Sequence, residues 1–387
     1  MFPSEVPPSL KVRAARACSI IAEEGAMIRT TARVGDSQRF SLGLFAANCD
    51  SGLAMTTVPE RWRATWPNTL ALAKLADDAG LDFMLPIAHW RGFEGSLDPL
   101  GWAAGILANT SRIAAFTTLH AYTMHPVFAA KQLATVDQMS QGRLAFNLVL
   151  GWRRDESAMF GGTALGAQAQ RYEYGREWLD IVRRLWQGGE PFDYEGTFFK
   201  LEGVTSSVVP FANEELVIMN AGTSKEGQAF AAAHADCWFA PAPPDTEPEG
   251  ARPIIEGFRA LAPGRRIGVY GVAYVVCRDT LAEAEEYLHY YAEEHQDVER
   301  VDNIAGNASR DLHATSIVVV DRTRMAAGHN GFPFVGDPDA VAQRIARFAE
   351  CGFSGLGMGF VNYLDEFPYF AEHVLPRLER AGVRTTT

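Results

Sequence analysis

No stretch of this sequence holds the roughly eighteen consecutive apolar residues that a membrane-spanning helix needs, and no membrane association is expected. Paired cysteines are missing too. The five cysteines (Cys18, Cys49, Cys237, Cys277, Cys351) are odd in number and scattered, with no C-x-x-C, which points to a reduced, cytoplasmic setting rather than a disulfide framework. Positive charge is in deficit. A net charge of −12 gives nucleic acid or an anionic membrane no basic surface to grip. Neither G-x-x-x-x-G-K-[ST] nor H-E-x-x-H occurs, and Gly355, Gly357 and Gly359 lack the helix-facing glycine of a dinucleotide fingerprint. They read instead as a strand thinned for close packing. His120 and His125 stand at no common metal-ligand spacing, and no metal is expected.

What is present is enough apolar material for a large core, 47% of 387 residues, arranged as alternating strand-like and helix-like segments. Strands are expected over Phe40–Ala47, Asp82–Ile87, Ile113–Leu119, Leu144–Leu150, Glu215–Asn220, Asp236–Ala240, Ile267–Val276 and Ser354–Phe360. Most are continuous apolar runs, as in strands covered on both faces. Between them lie helical stripes. One is Leu72, Leu75, Ala76 and Ala79, stopped by Gly80; another is Trp178, Ile181, Val182, Leu185 and Trp186, which reads as core. Eight such pairs spell a (β/α)8 TIM barrel spanning 39–387. Residues 1–38 read as a poorly ordered surface arm, or an extension upstream of a start near Met27. The basic cluster Lys11, Arg13 and Arg16 is followed by too short an apolar run for a signal peptide. Residues 297–336 break the repeat, with one strand-like run at Ser316–Val320, and read as an insertion.

Polar residues at expected strand ends are the candidates for chemistry. Asn147 interrupts the apolar run Leu144–Leu150 and needs partners for both its donor and its acceptor. Thr118 ends the third strand, Ala88 and His89 follow the second, and Glu156 follows the fourth, so all would meet at the C-terminal mouth of a barrel. Taken singly, Thr118 reads as a satisfied strand threonine and His89 as a loop histidine. Asn220 to Glu226 combines a tight turn, the hydroxyl of Ser224 at a helix cap and free backbone N–H groups, which suits either a plain N-cap or an anion site. The guanidinium of Arg171, beside Tyr172, is a fork that fits a phosphate. Trp90, Arg91, Phe93 and Trp152 are candidates for a substrate wall, with Arg91 or Arg153 available to an anionic or carbonyl group.

The phrases GRLAFNLVLGWRRDE, DFMLPIAHWRGF, SRIAAFTT, QRYEY and NAGTS, in this order from Phe40 onward, resemble the bacterial luciferase-like flavin monooxygenases. The likeness is nearest to the branch of pyrimidine, dimethylsulfone and alkanesulfonate monooxygenases. It implies reduced FMN (FMNH2) as co-substrate, with Arg171, Tyr172 and Ser224 at the phosphate. Ala88, His89, Asn147 and Glu156 would stand at the flavin ring, with Thr118 and Asn147 facing the place where dioxygen reacts. It also places the 297–336 insertion over the barrel mouth. Pro86 and His89 depart from the serine and lysine of the pyrimidine branch, which leaves the substrate open among sulfones, sulfonates and cyclic amides. A separate NAD(P)H:flavin reductase and a homo-oligomer, dimer or tetramer, are expected partners. An F420-dependent oxidoreductase and a non-catalytic flavin-binding protein are the competing readings; oxygen uptake separates the first, and absence of turnover the second.

Overall fold

The structure is a computed structural model that describes residues 34–385 apart from 37–38, 92–94, 152, 162–167, 244–245 and 312–320. Eight parallel strands close on themselves: β1 (Ser41–Phe45), β2 (Phe83–Leu85), β3 (Ala114–His120), β4 (Leu144–Val149), β7 (Ile218–Asn220), β8 (Cys237–Phe239), β9 (Gly268–Cys277) and β11 (Gly355–Gly359). Each pairs with the next, β8 pairs with β9, and β11 returns to β1, so the expected (β/α)8 barrel is present with all eight strands where the apolar runs place them. The outer faces of the strands and the inner faces of the helices form one continuous core, including the Trp178, Leu185 and Trp186 stripe.

Helix starts follow local chemistry. Thr65, Asp98, Ser224 and Asp337 cap helices through side-chain oxygens that accept from the first free amides, and three of those helices carry proline in their first turn, where its missing N–H costs nothing. The helix expected to open near Pro126 spans Pro126–Ser140.

Inside the barrel, side-chain volume is set by glycine. A Cβ at Gly355 would lie 2.1 Å from the Tyr270 ring, and one at Gly43 would lie 2.4 Å from Phe83, so these positions exist to admit two large rings. Phe83, Phe116, Tyr270, Met219 and Cys237 fill the interior floor with Val34, whose carbonyl accepts from the Tyr270 hydroxyl. Of the expected N-terminal arm, residues 1–33 and 37–38 lie outside the described residues.

Two parts were not read as regular structure. An antiparallel hairpin, β5 (Phe192–Glu195) with β6 (Lys200–Val204), stands outside the barrel. The insertion contains helices Val298–Asp311 and Arg322–Gly328 and a strand, β10 (Phe332–Gly336). The ten residues of β9 outrun the barrel, and their last five pair with β10. The insertion lies at the C-terminal face. The Met55 amide donates to Ala326, the Asp297 amide donates to Met55, and Val301, Ile304, Met325 and Ala326 pack with Leu53, Met55 and Ile87. The expected run Ser316–Val320 lies outside the described residues.

Candidate active site

Thr118 and His120 point inward from the C-terminal end of β3, on the same face as the interior residues Ala114 and Phe116. They do so for a structural reason. Regular pairing of β2 with β3 ends at Met84 and Ala115, and Pro86 has no N–H to continue it. Side chains take over: the Thr118 hydroxyl donates to the Pro86 carbonyl at 2.7 Å, and His120 Nε2 lies 2.9 Å from the Ala88 carbonyl. Asn147 faces Thr118 across the β3–β4 ladder, and its Nδ2 donates to the Thr118 hydroxyl at 3.4 Å. Asn147 Oδ1 is buried and has no partner among the described residues. An acceptor in that state costs free energy unless something outside the chain fills it.

The His89 loop is held by Glu156, which is fully buried. Its carboxylate lies 3.0 and 3.1 Å from His89 Nδ1, accepts from the Trp90 and Arg91 amides at 3.2 Å each, and has the Arg153 guanidinium 3.6 Å away. Burial alone would raise this carboxyl; the His89 bond, the Arg153 charge and the Arg91 amide outweigh it and hold the group below the ordinary carboxylate range. His89 and Glu156 therefore act as one unit that fixes the segment leaving β2. Arg153, expected to be open to a ligand, is 2% exposed and is spent on Asp155 (2.7 and 3.1 Å) and the Arg91 carbonyl (2.9 Å). Nitrogen and oxygen atoms of His89, His120 and Glu156 lie within 4.8 Å of one another, the spacing of a metal set. The lone pairs of Glu156 already face N–H donors and a guanidinium, which marks the set as a hydrogen-bonded support.

The second half of the site lies one strand further round. Asn220 ends β7, donates to the Leu148 carbonyl at 2.7 Å and accepts from the Gly222 amide at 2.9 Å, which sets the turn. Ser224 caps the ten-residue helix Lys225–His234 by accepting from the Gly227 amide at 3.1 Å. Gly222 and Gly227 let turn and helix touch: a Cβ on Gly222 would lie 2.6 Å from Gly227 Cα. The long helix Gln168–Gln187 brings Tyr172 to this place, its hydroxyl against Gly227 and beside Ser224, where burial foremost raises the phenol's pKa. Arg171 donates to the Gly151 carbonyl at the end of β4. Residues from two separate motifs, Arg171–Tyr172 and Asn220–Glu226, thus meet beside the strand that carries Asn147.

Of the expected wall residues, Trp90 and Arg91 are exposed at the mouth, while Phe93 and Trp152 lie outside the described residues. His125 caps the helix Pro126–Ser140, its Nδ1 accepting from the Val127 amide. His120 was missed as a site residue. The signal was there, since it stands two positions beyond Thr118 on an apolar strand and so shares its inward face.

Two histidines carry a pH prediction. Burial above all pushes His120 and His329 down to about 4, against a value near 6.5 in an unfolded chain. Between those values the unfolded chain binds more protons, so stability is complete above about pH 6.5 and falls as pH drops through that window. The denaturation midpoint should be lower at about pH 5 than at about pH 7. His120→Gln should shrink that difference, whereas an unchanged difference would show that folding does not keep His120 uncharged at pH 5.

A closed parallel barrel with its inward polar groups gathered at the C-terminal strand ends is the architecture of a (β/α)8-barrel enzyme. Comparison with known sequences matches residues 40–355 to the luciferase-like monooxygenases, and the chain belongs to that family. It is 27% identical over 361 residues to a pyrimidine monooxygenase, RutA, of Cronobacter turicensis, covering 89% of this chain and 94% of that one. It is also 27% identical over 354 residues to an FMNH(2)-dependent dimethylsulfone monooxygenase of Pseudomonas fluorescens, covering 88% and 94%. Among solved structures, DmoA from Hyphomicrobium sulfonivorans superposes with a TM-score of 0.78 at 20% identity, covering 90% of each chain. No helix among the described residues is long and apolar enough to cross a membrane.

Proposed function

We propose that this protein is a two-component monooxygenase that uses reduced FMN and dioxygen to place one oxygen atom on a small organic substrate of the sulfone, sulfonate or cyclic amide type. The observation that carries the reading is the convergence, at one barrel mouth, of an anion-ready turn and an unsatisfied amide acceptor. The Ser224 hydroxyl, the amides ahead of Lys225–His234 and the Arg171 guanidinium suit a phosphate. The glycine contact between Gly222 and Gly227 keeps backbone close to that position. Asn147 Oδ1 lies on the neighbouring strand and suits a ring N–H. The residues present therefore fit FMN, with Arg171, Tyr172 and Ser224 at its phosphate and Ala88, His89, Asn147 and Glu156 at its ring.

Bound reduced FMN would supply the electrons that activate dioxygen; the chain supplies order and dryness. Asn147 orients the ring edge, and Thr118 fixes Asn147 through a hydroxyl that is itself fixed on Pro86. Glu156 acts at the ring through the loop it ties down, holding His89 and the Trp90 and Arg91 amides in place. The insertion packed on the loop after β1 closes one side of the mouth to water. With no second nucleotide motif in the sequence, the reduced flavin comes from a separate NAD(P)H:flavin reductase, and a homo-oligomer is the expected form. A relative whose name states dependence on FMNH(2) supports this cofactor choice. An F420-dependent oxidoreductase is the alternative on the same barrel.

The expected result of ligand titration is that the protein binds oxidised and reduced FMN but not NADPH. Tight NADPH binding with hydride transfer to a resident flavin would overturn the two-component reading.

A further inference from the structure

The residues proposed for the flavin stand on one half of the barrel. Ala88 and His89 follow β2, Thr118 lies on β3, Asn147 lies on β4 and the Asn220–Glu226 turn follows β7, four consecutive strands in the closed order. Glu156, Arg171 and Tyr172 belong to the segment between β4 and β7. The opposite half consists of β8, β9, β11 and β1. The insertion lies over that half: β10 pairs with β9, and Val301, Ile304, Met325 and Ala326 pack with Leu53 and Met55 of the loop after β1.

Inward side chains on this half change character with height. At floor level stand Cys237, Tyr270, Gly355 and Gly43, and two residues further along each strand come Phe239, Val272, Gly357 and Phe45. The rings of Phe45 and Phe239 meet with centroids 5.3 Å apart, tilted by 54°. Gly357 keeps β11 clear for this, since a Cβ there would lie 3.1 Å from Phe45 Cβ. Both rings pack against the floor cluster below and the insertion cluster above. Yet both are only half-buried, whereas the floor rings Phe83, Phe116 and Tyr270 are fully buried. Paired strands flank each ring and the floor lies beneath, so the open faces look up the barrel axis into one shared space under the insertion. Val149, two residues beyond Asn147 on β4, is half-buried too and faces the same way from the flavin half.

Phe45, Phe239, Val272 and Gly357 carry no charge and no side-chain hydrogen-bonding group. What they can recognise is apolar surface, and a ligand that covers the two rings removes that surface from water. Two rings tilted to each other offer a face and an edge, which suits a third ring. We infer that Phe45 and Phe239 are the specificity-determining residues of the mouth and that they hold an aryl or similarly bulky apolar group of the substrate, with the atom to be oxygenated turned toward Thr118 and Asn147. This deepens the proposed function and rests on it, because it gives the half formed by β2, β3, β4 and β7 to the flavin.

The test uses the full chain saturated with FMN and two probes that share one functional group, methyl phenyl sulfone and dimethylsulfone. Calorimetry reads their binding, and flavin fluorescence reads displacement of FMN. Methyl phenyl sulfone should bind at least about tenfold more tightly than dimethylsulfone, without displacing FMN. Phe239→Ala and Phe45→Ala should each lower that preference about tenfold and leave FMN affinity unchanged. Phe239→Leu and Phe45→Leu keep the layer filled should the alanine variants not fold, and should lower it about threefold. Equal binding of the two sulfones, no binding of either, or a preference untouched in every folded variant overturns the assignment. So does displacement of FMN by methyl phenyl sulfone, or loss of FMN affinity in the variants, either of which would give the space to the flavin ring. If FMN itself does not bind, the proposed function fails, and the two sulfones titrated against the protein alone still decide the pocket.

Discussion

Asn147→Ala should leave a folded protein that still binds reduced FMN, yet yields hydrogen peroxide in place of oxygenated product. The structure sharpens the contrast between a bracing and a catalytic role. A brace would tie its amide to backbone, as Asn48 does with the Ile87 amide and the Ile87 and Leu97 carbonyls. Asn147 instead makes one long bond to Thr118 and leaves Oδ1 unmatched. Removing an unsatisfied acceptor forfeits little, so the stability loss should stay below the roughly 1 to 3 kcal/mol of a lost buried hydrogen bond. Coupling, read as product and peroxide per reduced flavin consumed, should collapse. Full coupling in a folded variant would remove Asn147 from the site, and a large stability loss would make it a brace.

Arg171→Ala should weaken FMN by roughly ten- to a hundredfold and leave riboflavin almost untouched, because a charge-assisted bond to phosphate contributes about 1.5 to 3 kcal/mol. The guanidinium bonds to the Gly151 carbonyl, at the hinge between β4 and the segment that follows. A purely structural role there would weaken both ligands alike. Fluorescence titration with the two flavins distinguishes these outcomes.

The barrel was legible because strands buried on both faces must be apolar throughout, and eight such runs recur between helical stripes. The β5–β6 hairpin was not, because its half-exposed strands show no such run, and its turn is fixed from a distance by Glu177, which accepts from the Thr197, Phe198 and Phe199 amides. β10 escaped for a related reason: its partner is the overhang of β9, which no local pattern announces. In the site, Asn147 stood out as an amide in an apolar run. The meeting of Tyr172 with the Ser224 turn, about fifty residues apart in sequence, exists only once the helix and the turn are placed together. Arg153 misled, since a charge in a loop reads as solvated until the fold buries it against Asp155 and Glu156. His120 was overlooked although its position two residues beyond Thr118 placed it on the inward face of β3.

Supplying the protein with FMN, a flavin reductase and NADPH under isotopically labelled dioxygen, with a panel of small sulfones, sulfonates and cyclic amides, tests the central claim most directly. The account predicts substrate-dependent oxygen consumption and a product that gains one oxygen atom, labelled from dioxygen, only when FMN is being reduced. Turnover of a substrate with reduced F420 in the absence of oxygen, and no labelled product with reduced FMN, would contradict it.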